Sequence, residues 1–179
     1  MGHTRVDYCQ FATIPLDDRL RGSILSGLEG CWDTAPIMSS FRLDGDGRMI
    51  IGGIGSVDHP AASIHARWAR AKLTSLFPQL SETALEYGWS GRIAMTRNHL
   101  PRILKLGNNG YAVFGYSGRG IAPGTVFGKS IAQAIVTGME SELPLRTIAS
   151  YSENHAPLRR VWFESGALVV HALQSVRLG

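Results

Sequence analysis

The chain predicts an α+β fold: an antiparallel sheet with flanking helices, plus one strand–glycine bend–helix unit. Three observations predict it. Short β-branched and aromatic runs at 8–15, 37–43, 48–53, 85–92, 102–106 and 111–116 read as strands. Two links between neighbouring runs, Asp44-Gly45-Asp46-Gly47 and Asn108-Asn109-Gly110, are turn sequences that fold a strand back on itself. Apolar residues recur at three- and four-residue steps from 61 to 76 and from Thr125 to Gly138, the period of a helix.

Taken in order, the strand at 8–15 ends at Pro15, and Leu16 to Leu25 can form a short helix. The Asp-Gly turn makes a hairpin of 37–43 and 48–53. Asp58-His59-Pro60 opens the longest helix, about Ala61 to Leu76, because proline is tolerated in a first turn; Pro78 stops it. Ile64, Trp68 and Ala71 share one face of it, and Trp68 reads as core. Leu85 to Arg92 is a strand interrupted by glycine, a sign of a bulge or a close backbone approach. Ile93 to Pro101 reads as a loop, and Arg102–Leu106 pairs with Tyr111–Tyr116. Met139 to Pro144 is a polar loop, 145–157 looks irregular, and 158–176 carries a last helix.

Composition excludes several classes. Of 179 residues, 44% are hydrophobic and 18% charged, which is globular rather than disordered. There is no apolar run long enough to span a membrane and no apolar core in the first residues, so a cytoplasmic protein is expected. Cys9 and Cys31 form no CxxC pair and are expected as reduced thiols. The net charge of +4 is scattered, with Arg159-Arg160 its densest pair, so no nucleic-acid partner is expected. The Asp44–Gly47 turn lacks the closing glutamate of a calcium loop. His59 and His65 are not at the i,i+4 spacing of a helical metal pair, and no other pair of the six histidines improves on them, so no metal site is expected.

The stretch from Gly110 to Gly138 organises the chain. Strand Tyr111–Tyr116 enters a glycine-rich bend, Ser117 to Gly124, and a helix follows that Gly138 can terminate. Such a bend brings bare backbone near a ligand, and the helix start offers unpaired N–H groups and a positive dipole end. Gly118, Gly120 and Gly124 do not form the G-x-G-x-x-G dinucleotide fingerprint. Spacing alone fits either a binding bend or a tight connection that binds nothing.

The residues Gly115-Tyr116-Ser117-Gly118-Arg119-Gly120-Ile121-Ala122-Pro123-Gly124-Thr125 resemble the C-terminal flavin-contacting segment of the FAD-dependent D-amino acid oxidase-like (DAO) oxidoreductases. They are most similar to the branch with γ-glutamylputrescine and glycine oxidases. Phe11–Leu16, Phe41–Gly53, Phe77-Pro78-Gln79-Leu80 and Trp89-Ser90-Gly91 match in the same order, so the resemblance covers most of Phe11 to Pro144. It implies an enzyme that oxidises the C–N bond of a small amine or amino acid. It implies a partial substrate-binding domain at 1–107, the C-terminal part of an FAD-binding domain at 108–145, and a helical extension at 146–179.

By the same resemblance, Gly118, Arg119, Gly120, Ile121, Ala122, Pro123, Gly124 and Thr125 face FAD and Arg97 faces substrate, a residue that as a bare sequence position equally fits a solvated loop arginine. Tyr116 fits either a substrate-facing side chain or a buried strand tyrosine. Arg97 matches the arginine that holds a substrate carboxylate, a group its planar fork suits. No catalytic residue is assigned. Ala122 stands where sarcosine-oxidase relatives have lysine, and no cysteine lies near Ile93-Ala94, where some of them tether flavin; noncovalent FAD is implied. The family's N-terminal Rossmann half, with its G-x-G-x-x-G segment, has no counterpart here. The chain is therefore expected to be a fragment, one half of a split enzyme, or a remnant that binds a partner chain carrying the missing half, and it is not expected to retain FAD alone.

Overall fold

The structure is a computed structural model that describes residues 2–35 and 37–178; the segment ends at Met1 and Gly179 lie outside it. Among the described residues, two sheets, four α-helices and two single-turn 3₁₀ helices form a mixed α+β fold. Strands β1 (Thr4–Pro15), β2 (Cys31–Trp32), β3 (Ser40–Leu43), β4 (Arg48–Ile54) and β5 (Leu85–Met95) build a sheet in the order β2-β3-β4-β1-β5. Strands β6 (Arg102–Leu106), β7 (Gly110–Phe114) and β8 (Thr147–Ile148) build a second sheet in the order β7-β6-β8. The helices are α1 (Asp18–Ser23), α2 (Ala62–Leu76), α3 (Ile121–Thr137) and α4 (Ala156–Leu178).

The chain forms two compact units, residues 7–92 with 161–179 and residues 1–6 with 93–160.

In the first of these units the centre is β4, whose residues Met49 to Gly53 are all buried. A strand covered on both faces reads as a continuous apolar run, as MIIGG does. It pairs antiparallel with β1, Phe11 opposite Ile51, and with β3, Phe41 opposite Ile51. The hairpin between β3 and β4 closes as its sequence predicts: Gly47 has φ +80°, and the Asp44 carboxylate accepts the N–H groups of Asp46 and Arg48. Helix α2 lies on this sheet. Trp68 is buried against Gly53, where an added Cβ would sit 2.7 Å from the indole, so the glycine makes room for the ring. Cys9, Phe11, Met49, Ile51, Trp68, Ala69, Leu73 and Leu80 form the core.

The pairing of β1 with β4 slips between Ala12 and Pro15. The groups the slip frees find partners: Thr13 Oγ1 accepts the Met49 N–H, and Arg48 donates to the Thr13 carbonyl. Arg48 also pairs with Glu86 and lies 4.9 Å from the centre of the Tyr87 ring. Strand β5 is an edge strand, as β2 is on the other side, and its 85–92 stretch is mostly exposed.

In the other unit β6 pairs antiparallel with β7, Leu104 opposite Ala112, through the predicted Asn-Asn-Gly turn. Ile103, Leu104 and Phe114 are buried there.

Several expectations are corrected. The longest helix is α4, with 23 residues, and not α2, with 15. Ala156-Pro157 starts α4 two residues before the predicted 158, since proline fits a first helical turn. Ile93 to Met95 continue β5 rather than opening a loop. The stretch at 145–157 contains β8, which pairs parallel with β6 over two residues, too short a strand to show a period. The strand expected from Ile37 begins at Ser40, because the Asp33 carboxylate takes up the Ala35 N–H and both the N–H and hydroxyl of Ser39.

Candidate functional site

The bend after β7 is a tight turn from Tyr116 to Arg119, closed by Arg119 N–H donating to the Tyr116 carbonyl at 3.0 Å. Its central residues, Ser117 and Gly118, have φ of +54° and +87°, the pattern of a type I′ turn. Serine holds that conformation at a cost, which its hydroxyl offsets by donating to the Gly115 carbonyl. Helix α3 then starts at Ile121 with Gly120 as its cap residue and no side-chain cap. Pro123 carries no N–H, so Ile121 and Ala122 present the donors of the open first turn. At the other end Gly138, φ +71°, terminates the helix in the left-handed conformation.

An open groove of about 470 Å³ lies against this bend. Ile93 and Ala94 of β5, Val113 and Phe114 of β7, and the backbone of Gly115 to Gly118, Gly120 and Ile121 line it. Tyr116 lines it too, half-buried and edge-on to Phe127 with ring centres 5.8 Å apart; burial pushes its phenol above the ordinary value. Most of the lining is apolar, with polar groups concentrated at the bend, the usual make-up of a small-molecule site.

The structure brings Tyr116, Gly118, Gly120 and Ile121 together in this lining, along with Ile93 and Ala94. Arg119, Ala122, Pro123, Gly124 and Thr125 are not part of it. The Thr125 hydroxyl donates back to the Ile121 carbonyl along its own helix. Arg97 is exposed, and its N–H, rather than its guanidinium, is held by Glu153. Val113, Phe114, Gly115 and Ser117 also line the groove without a role assigned from sequence; Gly115 and Ser117 lie within the segment that carries the resemblance, and Phe114 directly precedes it.

Residues 5–134 match the family described as FAD dependent oxidoreductase, DAO. The chain belongs to that family. Among relatives of this DAO chain is the "Probable oxidoreductase OrdL" of Haemophilus influenzae (strain ATCC 51907 / DSM 11121 / KW20 / Rd). It is 30% identical over 125 residues, covering 70% of this chain and 28% of the relative. The "Gamma-glutamylputrescine oxidoreductase" of Escherichia coli (strain K12) is 30% identical over 102 residues, covering 55% of this chain and 23% of the relative. L-proline dehydrogenase from P. horikoshii shares the fold with a TM-score of 0.55 at 23% identity, over 80% of this chain and 38% of that one. The chain thus spans between 23% and 28% of the length of these two curated relatives.

The residues present suit one end of FAD. The bend sets bare backbone beside the groove, and the uncapped helix start offers N–H donors to an electron-rich edge such as a flavin pyrimidine. No G-x-G-x-x-G segment for the pyrophosphate occurs in the sequence. No helix among the described residues is long and apolar enough to cross a membrane.

Proposed function

We propose that this chain supplies part of the substrate-binding sheet, within 1–107, and the flavin-head segment, within 108–145, of an enzyme that oxidises the C–N bond of an amine or amino acid. The observation that carries the reading is the meeting of the type I′ bend, the uncapped start of α3 and the Ile93–Ala94 wall at one groove. FAD supplies the hydride acceptor for such chemistry, and water hydrolyses the imine that leaves.

The chain's own residues position and polarise. The N–H group of Ile121, with the positive end of α3 behind it, would stabilise negative charge on a flavin edge at the groove, whereas Ala122 lies outside the lining. Ile93 and Ala94 present an apolar wall that keeps water from one side of the groove. Tyr116 is the substrate-facing side chain in the lining. The carboxylate role of Arg97 rests on the family resemblance, and its place outside the lining gives that role no support.

The test is a fluorescence titration of the purified chain with FAD. Pyrophosphate contacts supply much of the affinity in such folds, so binding weaker than ~1 μM and a colourless protein are expected. Activity is expected once a chain with the pyrophosphate-binding half is added. A yellow protein with tight binding, or imine production by this chain alone, overturns the expectation that it holds only part of the site; no imine from amines or amino acids in that two-chain complex overturns the reading.

A second reading is a non-catalytic subunit or remnant that binds such a partner chain. The apolar face of α3 favours it, since Ile121 is 94% and Val136 83% exposed. Complex formation without activity distinguishes this reading from the first.

A further inference from the structure

A second cluster lies in the compact unit of residues 7–92 and 161–179, independent of the flavin reading. His59 precedes α2, His65 sits in its first turns, and Glu164 projects from α4. His59 Nε2 is 2.7 Å from Glu164 Oε1, and His65 Nε2 is 3.6 Å from the same oxygen. One ligand atom from each of the three lies within 4.8 Å of the others. His65 is fully buried, and its Nε2, aimed at the glutamate, has no hydrogen-bond partner among the described residues. A buried ring nitrogen left without a partner is costly and asks for an explanation.

We propose that His59, His65 and Glu164 bind a divalent transition-metal ion of the zinc class, with the fourth position open to solvent. Two imidazoles and one carboxylate are a zinc ligand set, and bonds of ~2.0–2.2 Å in a tetrahedron place ligand atoms roughly 3.3–3.6 Å apart. The separations of 2.7 and 3.6 Å bracket that edge, so small side-chain shifts seat the ion.

The buried ligand is already oriented. His65 Nδ1 lies 2.7 Å from His171 Nδ1, and His171 stacks on Trp68. When His65 donates that proton, its Nε2 carries the lone pair a metal needs, and the bond fixes the ring as outer partners of metal-bound histidines do. His59 must adjust. Its Nδ1 accepts the Ala61 N–H at 3.0 Å, so the neutral ring carries its proton on Nε2 and donates it to Glu164. Ion binding moves that proton to Nδ1 and leaves the Ala61 amide to water, which reaches a His59 side chain that is 29% exposed. His59 is therefore the weakest of the three ligands.

The full chain, stripped with chelator, is titrated with Zn²⁺ by calorimetry and with Co²⁺ by visible absorption. One equivalent is expected to bind, with the intense visible bands of tetrahedral Co²⁺. Glu164→Gln should weaken it by roughly a hundredfold or more, at least the cost of losing an outer partner, and His59→Ala by less, while His155→Ala leaves it unchanged. Absence of saturable binding, or binding that survives both ligand substitutions, overturns the proposal. Should a variant fail to fold, the wild-type Co²⁺ spectrum decides: pale octahedral bands overturn it and tetrahedral bands support it.

Discussion

The indole of Trp68 lies flat on the imidazole of His171, with 3.8 Å between ring centres and 6° between planes. Trp68 Nε1 donates to Gln174 Oε1 at 2.8 Å, and the side chain is 1% exposed. One residue of α2 thus meets both the sheet, at Gly53, and two residues of α4. Truncating such a side chain leaves a cavity and an unpaired amide. Trp68→Ala is expected to cost ~3–5 kcal/mol by urea denaturation. A loss below ~1 kcal/mol would show that the ring is not part of the core.

Two glycines separate backbone strain from lack of space. At Gly118, φ is +87° and an added Cβ finds only Ile93 Cδ1, at an ordinary 3.5 Å. Gly118→Ala should therefore cost ~1–2 kcal/mol through conformation alone, and Gly118→Asn, which tolerates left-handed backbone, should cost less. At Gly53 the added atom meets the Trp68 ring at 2.7 Å, so larger residues should be progressively worse. Equal ranking of Ala and Asn at both sites would contradict this assignment of causes.

Asp33 makes stability depend on acid. Burial alone would raise its carboxyl, but the Ser39 hydroxyl and the Lys72 ammonium together outweigh burial and hold it below the ordinary 3.8. The unfolded chain therefore takes up the proton first. The stabilisation is complete above 3.8 and is lost as pH falls through the lower folded value. Urea midpoints against pH should fall less steeply below pH ~4 for Asp33→Asn than for the wild type. Parallel curves would show that Asp33 contributes nothing there.

The carboxylate role proposed for Arg97 has a direct check. Arg97 is exposed, so Arg97→Ala should leave the fold intact. In the proposed complex with a chain carrying a pyrophosphate-binding half, a carboxylate-anchoring role predicts a KM raised ~10-fold or more for amino acids and unchanged for amines without a carboxylate. An unchanged KM for both would remove Arg97 from the site.

The legible parts of the fold were those with local causes. The Asp-Gly and Asn-Asn-Gly turns, the run of β4 and the Gly138 end of α3 follow from neighbours in sequence, whereas α3 starts at Ile121, inside the Ser117–Gly124 stretch whose glycines suggest a bend. Strand β8 was not legible, because two residues carry no period and their pairing with β6 is set by a distant segment. The bend of the candidate groove was visible in its glycines. Its far wall, Ile93 and Ala94, was noted only for lacking a cysteine, since nothing in an isoleucine and an alanine announces a ligand. His59 and His65 were judged against helical spacing, yet they meet through Glu164, 105 residues beyond His59. A ligand set closed by a distant helix leaves no local pattern.

The type I′ turn at Ser117-Gly118 has a consequence for affinity. Its left-handed backbone is set by its own hydrogen bonds, Arg119 to Tyr116 and Ser117 to Gly115, so its shape forms as the chain folds. A molecule that settles against it in the proposed role would meet a turn already shaped by two hydrogen bonds, which lowers the cost of ordering it. In the proposed flavin role, its grip would be limited by how much of the molecule the surface touches, and any selectivity would come from shape held by these bonds rather than from closure around a guest.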